Sequence, residues 1–106
     1  MSQAILTALL GNGIKLSGSN AIKGALAAVT TAGARVQLPA YACREVTIVA
    51  KAANTGTIYV GGADVASTVY GVALLKNDSI TLAVSNTNLL YIDASVNGEG
   101  VSYFAL

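Results

Sequence analysis

The stretch Ala52–Val65, AANTGTIYVGGADV, is compatible with two different structures. Its centre, Thr57–Val60, is rich in β-formers and lies between one glycine and a glycine pair. A phosphate-binding loop would need a lysine and a serine or threonine after its glycines, and a helix N-terminus. Gly62 is instead followed by Ala-Asp-Val, and the next lysine is Lys76. The stretch therefore predicts a strand between two turns, with glycines that accept positive φ.

Short β-branched runs alternate with turn residues on both sides of this strand, from Leu26 to the end of the chain. Pro39 ends one run, because proline cannot donate to a central ladder. This spacing is typical of all-β sandwiches and barrels, and no stretch after Leu26 supports a long amphipathic helix. We therefore expect an all-β sandwich of about eight short strands. The predicted strands are ALAAVTT (25–31), ARVQL (34–38), REVTIVAKA (44–52), TIYV (57–60), VALL (72–75), SITLAV (79–84), LLYIDAS (89–95) and VSYFAL (101–106).

Alternation of apolar and polar residues within these strands predicts the core. Tyr59 and Tyr91 fall on the faces opposite to it. The predicted core residues are Val46, Ile48, Ile58, Val60, Ile80, Leu82, Val84 and Ile92.

The composition of the chain changes near Leu26, and the segment before it is rich in Gly, Ser and Asn without a sustained period. One interpretation is simple terminal disorder. Disordered tails are usually poor in aliphatic residues, however, and this segment is not. We therefore divide the chain into an extended N-terminal arm, residues 1–24, and a β-sandwich domain, residues 25–106. The arm residues expected to contact a partner or another subunit are Ile5, Leu6, Leu9, Leu10, Ile14 and Leu16.

The overall composition favours an assembly of several chains. The 106 residues suffice for one domain, and only 10% are charged whereas 54% are hydrophobic. A chain of this length buries about 65% of its unfolded surface, so part of the apolar excess must remain exposed on one subunit. Large exposed apolar patches usually mark contact surfaces, which predicts a homo-oligomer. The net charge of +1, with no basic run, does not indicate a nucleic-acid partner.

No segment has the length or flanks of a membrane anchor. The apolar run Ala4–Leu10 has no positive residue before it and is far shorter than the roughly 20 residues of a bilayer span. We therefore expect a soluble protein made in the cytoplasm. The single cysteine, Cys43, excludes an internal disulfide framework and is expected to be a small buried hydrophobe.

The inventory of reactive side chains is nearly empty. The chain contains no histidine, which excludes Ser-His-Asp and Cys-His catalysis as well as histidine-based zinc sites. The five acids are widely spaced, although two carboxylates could still meet in space. Asp64, Asp78 and Glu99 lie in loop or turn contexts that favour solvated or capping roles. Glu45 and Asp93 lie in predicted strands and are expected to face solvent or to pair with a basic residue. We predict a protein that is not an enzyme and has no cofactor or metal.

Tyrosines are the remaining candidates for a binding surface. The five are Tyr41, Tyr59, Tyr70, Tyr91 and Tyr103, and they could form a platform that stacks on sugars or bases. Because no Arg or Lys residues are interleaved with the tyrosines, the sequence gives little support for stacking on nucleic-acid bases. The alternative is amphipathic packing at sheet faces and interfaces. The tyrosines expected to contact a partner or another subunit are Tyr59, Tyr70, Tyr91 and Tyr103.

The segment VQLPAYACREVTIVAKAANTGTIYVGGADVAST, Val36–Thr68, resembles small β-rich structural domains of tailed bacteriophages. These domains have a similar order of segments: a strand ending in Leu-Pro, a cysteine, a β-branched strand, Ala-Asn-Thr-Gly, an aromatic-containing strand, Val-Gly-Gly and a Ser/Thr loop. The later LLYIDASVNGEGVSYFAL is similar to their closing strands. The likeness covers about two-thirds of the chain.

The resemblance implies a jelly-roll-like virion structural protein, often a trimer, that acts as capsid decoration (cement), as a head-fibre base, or in a tail fibre or baseplate. The small size and the apolar arm suit cement, and the lack of a long coiled coil or repeat does not suit a fibre shaft. We therefore expect a homotrimer bound to the major capsid protein on the virion surface. One alternative is a tail-fibre or baseplate module that binds a host surface glycan through the tyrosines. Another is a small non-viral oligomeric β-protein.

Overall fold

The structure, a computed structural model, describes residues 21–106, and within them strands account for all regular structure except one 3₁₀ turn over Thr87–Leu89. Each predicted strand is present, and most are shorter than the β-branched run that predicted them. The strands are β1 Lys23–Ala28, β2 Val36–Gln37, β3 Val46–Ala50, β4 Ile58–Gly61, β5 Val72–Leu74, β6 Ser79–Leu82, β7 Tyr91–Ala94 and β8 Gly100–Ala105.

The strands form two four-stranded antiparallel sheets. Sheet A has the order β1-β8-β3-β6, and sheet B has the order β2-β7-β4-β5. The first strand thus pairs with the last, the second with the seventh, the third with the sixth and the fourth with the fifth. This is one long antiparallel hairpin rolled up on itself, and the β3–β8 and β4–β7 pairs join its halves into sheets. The order is that of a jelly roll, which confirms the predicted fold class.

The core lies between the inner faces of the two sheets. Of the predicted core residues, Val46, Ile48, Ile58, Val60 and Ile92 are at most 1% exposed. The other three are partly buried and pack against the same cluster; two of them belong to β6, an edge strand. The alternation pattern therefore selected the correct face of every strand to which it was applied. The buried hydrophobic residues that it missed are Val29, Leu38, Ala50, Val65, Leu74, Leu90, Ala94, Val101, Tyr103 and Ala105.

Three predicted turns contain a residue with positive φ. Gly33 and Gly98 have φ values of 90° and 81°, which glycine tolerates because it has no Cβ. Asn77 has a φ of 67° in the turn between β5 and β6, where asparagine is among the better-tolerated residues. In the same turn, Asp78 Oδ2 accepts a hydrogen bond of 3.0 Å from the Leu75 N–H. Asp78 therefore caps this turn, which is one of the two roles expected for it.

The stretch Ala52–Val65 contains strand β4, as predicted, but its glycines do not have the positive φ that the sequence predicted. Gly56, Gly61 and Gly62 all lack a positive φ. A Cβ on Gly56 would collide with the Ser95 hydroxyl, and one on Gly61 would approach Val65 Cγ2 to 3.2 Å. Close approach of neighbouring side chains, rather than backbone conformation, explains these two glycines. The expectation of positive φ was wrong here.

The predicted boundary between the arm and the sandwich falls inside strand β1. This strand begins at Lys23, so the last two residues assigned to the arm belong to sheet A. The arm residues proposed as contacts, from Ile5 to Leu16, lie outside the described residues.

Candidate interaction surfaces

The outward side chains of sheet A form a surface without charge, which we call face A. Alternation along each strand sends every second side chain away from the core. Leu26 and Phe104, which are 70% and 41% exposed, are its largest members. Phe104 lies between Gly24 of β1 and Thr47 of β3, and the Thr47 hydroxyl is 2.8 Å from that of Thr81. The residues of face A are Gly24, Leu26, Ala28, Thr47, Val49, Ser79, Thr81, Gly100, Ser102 and Phe104.

The outer side of sheet B carries three tyrosines, which we call the tyrosine surface. Tyr59 on β4 and Tyr91 on β7 both point away from the core, as predicted, and occupy diagonal positions in the β4–β7 pair. Tyr70 comes from the connection between β4 and β5, and its ring centroid is 5.0 Å from that of Tyr59 at an interplanar angle of 38°. Tyr70 is 48% exposed. The fold thus brings together three of the four tyrosines proposed as contacts.

A loop covers another part of the outer side of sheet B. Asp93 lies opposite Tyr59 in the β4–β7 register, yet it is only 2% exposed. Its Oδ1 accepts hydrogen bonds from the Gly33 N–H at 3.0 Å and from the Ala94 N–H at 2.8 Å. The loop that contains Gly33 is fixed further by a 2.8 Å bond from the Ala32 N–H to Asn97 Oδ1. The expectation that Asp93 faces solvent or pairs with a basic residue was wrong, because backbone amides of this loop and of its own strand are its partners.

The remaining tyrosines have structural positions. Tyr103 is 5% exposed within the core cluster, and this burial raises the pKa of its hydroxyl. It is therefore a core residue of the subunit rather than an accessible contact residue. Tyr41 is partly buried, and the Lys23 Nζ lies 5.8 Å from the centre of its ring.

One carboxylate binds two turns together at the end of the sandwich. Glu99 accepts hydrogen bonds from the Thr55 N–H at 2.6 Å, the Thr55 hydroxyl at 2.8 Å and the Gly56 N–H at 2.9 Å. The Thr55 amide, above all, lowers the pKa of the Glu99 carboxyl. Glu99 therefore caps the turn at Thr55 and Gly56, which is one of the two roles expected for it. A surface pocket of about 390 Å³ lies beside this turn, lined by Asn54, Thr55, Gly56, Leu75 and Lys76.

The described residues bring few reactive groups together. Within residues 21–106, no three acidic, cysteine or histidine side chains cluster in a way that could hold a metal ion. Cys43 donates from Sγ to the Val84 carbonyl at 3.2 Å, and burial raises the pKa of its thiol.

Within residues 21–106, no helix has the length and apolar character needed to cross a bilayer.

Comparisons with models of protein families, with curated proteins and with solved structures found no match to this chain.

Sequence reasoning missed the two large, exposed hydrophobic members of face A. Leu26 and Phe104 were assigned to strands but not to an outward face, since ALAA and SYFAL contain no alternation of apolar and polar residues. The outward orientation of both residues follows from the strand pairing. Leu26 lies opposite Ser102 and Phe104 lies opposite Thr47, and residues that lie opposite each other in a sheet share a face.

Proposed function

We propose that the protein is a virion structural protein of a tailed bacteriophage, a capsid decoration (cement) protein that binds the major capsid protein shell as a homotrimer. In this role it catalyses no reaction and binds no cofactor. By binding the expanded shell and not its precursor, it stabilises the expanded state by mass action.

Face A is the observation that carries this proposal. Burying a charged side chain at an interface is costly unless the partner supplies a matched opposite charge. The outward residues of sheet A impose no such requirement, because their side chains are short, uncharged or apolar. Another protein can therefore cover these strand residues without burying a charge among them; the nearest charged residues, Glu45 and Lys51, lie at the two ends of β3. The resemblance of Val36–Thr68 to phage structural domains supports a capsid as that protein.

The proposal is tested on heads of the virus that encodes the chain. Purified, DNA-filled heads should contain the protein in a fixed ratio to the major capsid protein, measured by quantitative mass spectrometry. Heads that lack it, or particles in which it follows the tail fraction instead, would overturn the proposal.

A matched pair of variants tests the surface. Phe104→Lys places a charge near the centre of face A, and it should weaken sedimentation with undecorated heads by about tenfold or more. Leu89→Lys serves as the control, because Leu89 is 54% exposed but lies in the 3₁₀ turn before β7. It should bind as the wild type does. Equal binding by both variants would move the capsid contact away from face A.

The tyrosine surface favours a second candidate, a tail-fibre or baseplate module that binds a host surface glycan. Aromatic rings expose apolar faces on which sugar rings can stack, and Tyr59 and Tyr70 already pack against each other at a tilt on this surface. Tyr70→Ala should then abolish binding to polysaccharide from the host surface, measured by isothermal calorimetry. Phe104→Ala, which removes an exposed aromatic ring from the other sheet, should leave that binding intact. If no polysaccharide binds the wild type, this candidate fails.

A further inference from the structure

Strand β1 differs from the other edge strands of the sandwich. In the described part of the chain, the edges are β1 with six residues, β6 with four, β5 with three and β2 with two. Short edge strands protect a sheet against pairing with another chain, as do prolines, bulges and charges. Strand β1 contains no proline, pairs with β8 in unbroken register, and has a charged residue only at its first position. It is the least protected of the four edges.

The hydrogen-bond pattern identifies which backbone groups of β1 face outward. The Val29 N–H donates to the Glu99 carbonyl at 2.9 Å, which continues the β1–β8 ladder by one residue. Residues of an antiparallel strand bond alternately to one side and the other. Positions 23, 25 and 27 therefore bond to β8 like Val29, and Gly24, Leu26 and Ala28 point their N–H and C=O groups to the open edge.

The other side of β8 supports the same assignment. Its even-numbered positions bond to the segment that contains β3, since the Lys51 N–H donates to the Gly100 carbonyl at 3.2 Å and the Leu106 N–H donates to the Glu45 carbonyl at 2.9 Å. The odd-numbered positions of β8 are thereby left for β1, as the Val29 bond requires.

We propose that β1 pairs with β1 of a second copy of this chain, antiparallel across a two-fold axis at Leu26. This register places Leu26 opposite Leu26 of the partner subunit, and Gly24 opposite Ala28 of the partner subunit. The outward positions 24, 26 and 28 of the two copies then form three residue pairs across the axis. The two residues of each pair exchange two backbone hydrogen bonds, which gives about six bonds in total. Any other register between the two copies aligns fewer of these positions.

The side chains suit this register. Leu26, which is 70% exposed in the single chain, is covered at the axis by its own symmetry mate. Gly24 has no atom within 4 Å of the position that a Cβ would take, so this face of the sheet has room for the methyl group of Ala28 of the partner subunit, which lies opposite. Lys23 falls opposite Val29 of the partner subunit, and the two lysines lie about 20 Å apart at 3.4 Å per residue. That separation exceeds the roughly 8 Å screening length at physiological salt, so the pair carries no appreciable charge repulsion.

The contact is independent of the proposed function, because it depends only on the edge of sheet A. In a homotrimer held by other surfaces, the same pairing would join two trimers. The assembly therefore contains an even number of chains, and breaking the β1 contact halves its mass.

Size-exclusion chromatography with light scattering tests the pairing on the full chain at micromolar concentration. The wild type should have the mass of six chains if the proposed homotrimer forms; a mass of two chains would also support the pairing but would overturn the trimer. Leu26→Lys should halve that mass, because like charges directly opposite each other destabilise a strand pair. Leu75→Lys, at a position 58% exposed in the turn after β5, is the matched control and should keep the wild-type mass. Circular dichroism confirms that both variants retain the β-fold.

Mixing two variants tests the register. Leu26→Lys and Leu26→Glu should each have half the wild-type mass alone, and an equimolar mixture should regain the full mass, since only a two-fold axis at this residue places the opposite charges face to face. A mixture that stays at half mass would overturn this register.

The stoichiometry of the wild type decides against other occupants of the edge. A monomer whose β1 amides resist hydrogen exchange would mean that the chain's own residues 1–20 cover the edge, and it would overturn the pairing. A trimer would overturn it as well, yet it would leave the proposed capsid role intact.

Discussion

The two outer sides of this sandwich are built differently, although one rolled-up hairpin supplies both. On sheet B, the chain covers its own strands: the loop around Gly33 buries Asp93, and the connection before β5 places Tyr70 against Tyr59. On sheet A, none of the described connections buries the central outward residue Phe104, which is 41% exposed. The sheet that the subunit covers for itself contains the buried carboxyl group of Asp93, whereas the outward side chains of the sheet that it leaves open contain no ionisable group.

This difference follows from the cost of burying polar groups. A buried carboxylate is tolerated only where donors are already in place, and the amides of Gly33 and Ala94 are supplied by the same chain and held in fixed geometry. A face that is covered only after another protein arrives has no such guaranteed donors. Side chains without charge, as on face A, avoid the requirement.

The largest expected effect distinguishes the inner from the outer side of sheet A. Ile48 and Val49 are neighbours on β3, but Ile48 is fully buried whereas Val49 points outward. Ile48→Ala should lower the free energy of unfolding by about 2–5 kcal/mol, because it leaves a cavity in the core. Val49→Ala should cost less than about 1 kcal/mol in the dissociated subunit. Urea denaturation of both variants measures the difference. Equal losses in the free energy of unfolding would mean that Val49 is as buried as Ile48, and that face A is not exposed.

The next largest loss of stability is expected at the contact between β1 and β8. A Cβ on Gly100 would overlap the Ala27 carbonyl oxygen and lie 2.7 Å from the Ala28 Cα, and backbone atoms cannot move aside as a flexible side chain can. Gly100→Ala should therefore cost about 1–3 kcal/mol or more, measured by urea denaturation.

Gly24→Ala is the control for this substitution, at the other end of the same strand pair. Open space surrounds the position of its Cβ, so stability should change by less than about 0.5 kcal/mol. A Gly100→Ala variant as stable as Gly24→Ala would show that β1 is not held against β8 at this end.

A third pair of variants compares the two outer sides directly. Asp93→Ala removes the acceptor of the Gly33 N–H and should cost about 1–3 kcal/mol, since a donor at a partly buried site loses its partner. Ser102→Ala, at an outward position on a central strand of sheet A, should change stability by less than about 0.5 kcal/mol. Thermal melting of both variants makes the comparison, and a neutral Asp93→Ala would mean that the loop does not depend on this carboxylate.

The order and number of strands could be predicted because turn residues and β-branched runs alternate along the chain. The buried face of β3 could also be predicted, from Val46 and Ile48 alternating with Thr47. The same rule gives nothing for β1 or β8, where small and apolar residues occupy both faces, as Leu26 and Phe104 show. The composition predicted that apolar surface would remain exposed, but it did not predict which residues would form that surface.

The position of Asp93 could not be predicted because its partners are distant in sequence. The Gly33 amide is 60 residues away, and nothing in the local sequence of either residue specifies the other. The contact arises only when β2 and β7 pair and bring the preceding loop over sheet B. The tyrosine surface has the same origin, because Tyr59 and Tyr91 become neighbours only through the β4–β7 register.

The smallest expected effect is a pH dependence at the end of the sandwich, away from both outer sides. The hydrogen bonds from Thr55 and Gly56 to Glu99 favour its ionised form, so the pKa of this carboxyl in the folded chain lies below its ordinary value of 4.5. The unfolded chain therefore binds a proton at a higher pH than the folded chain does. The stabilisation by these bonds is fully present above pH 4.5 and is lost as the pH falls through the lower pKa of the folded state.

Glu99→Gln tests this dependence, because its side chain does not titrate. The melting temperature of the variant should lie below that of the wild type at pH 7, and the gap should narrow as the pH is lowered below 4.5. Thr55→Val is the control: it removes the hydroxyl bond of 2.8 Å but keeps both backbone donors, so it should retain most of the pH dependence. A gap between wild type and Glu99→Gln that stays constant over this range would show that the charge of Glu99 does not hold the two turns together.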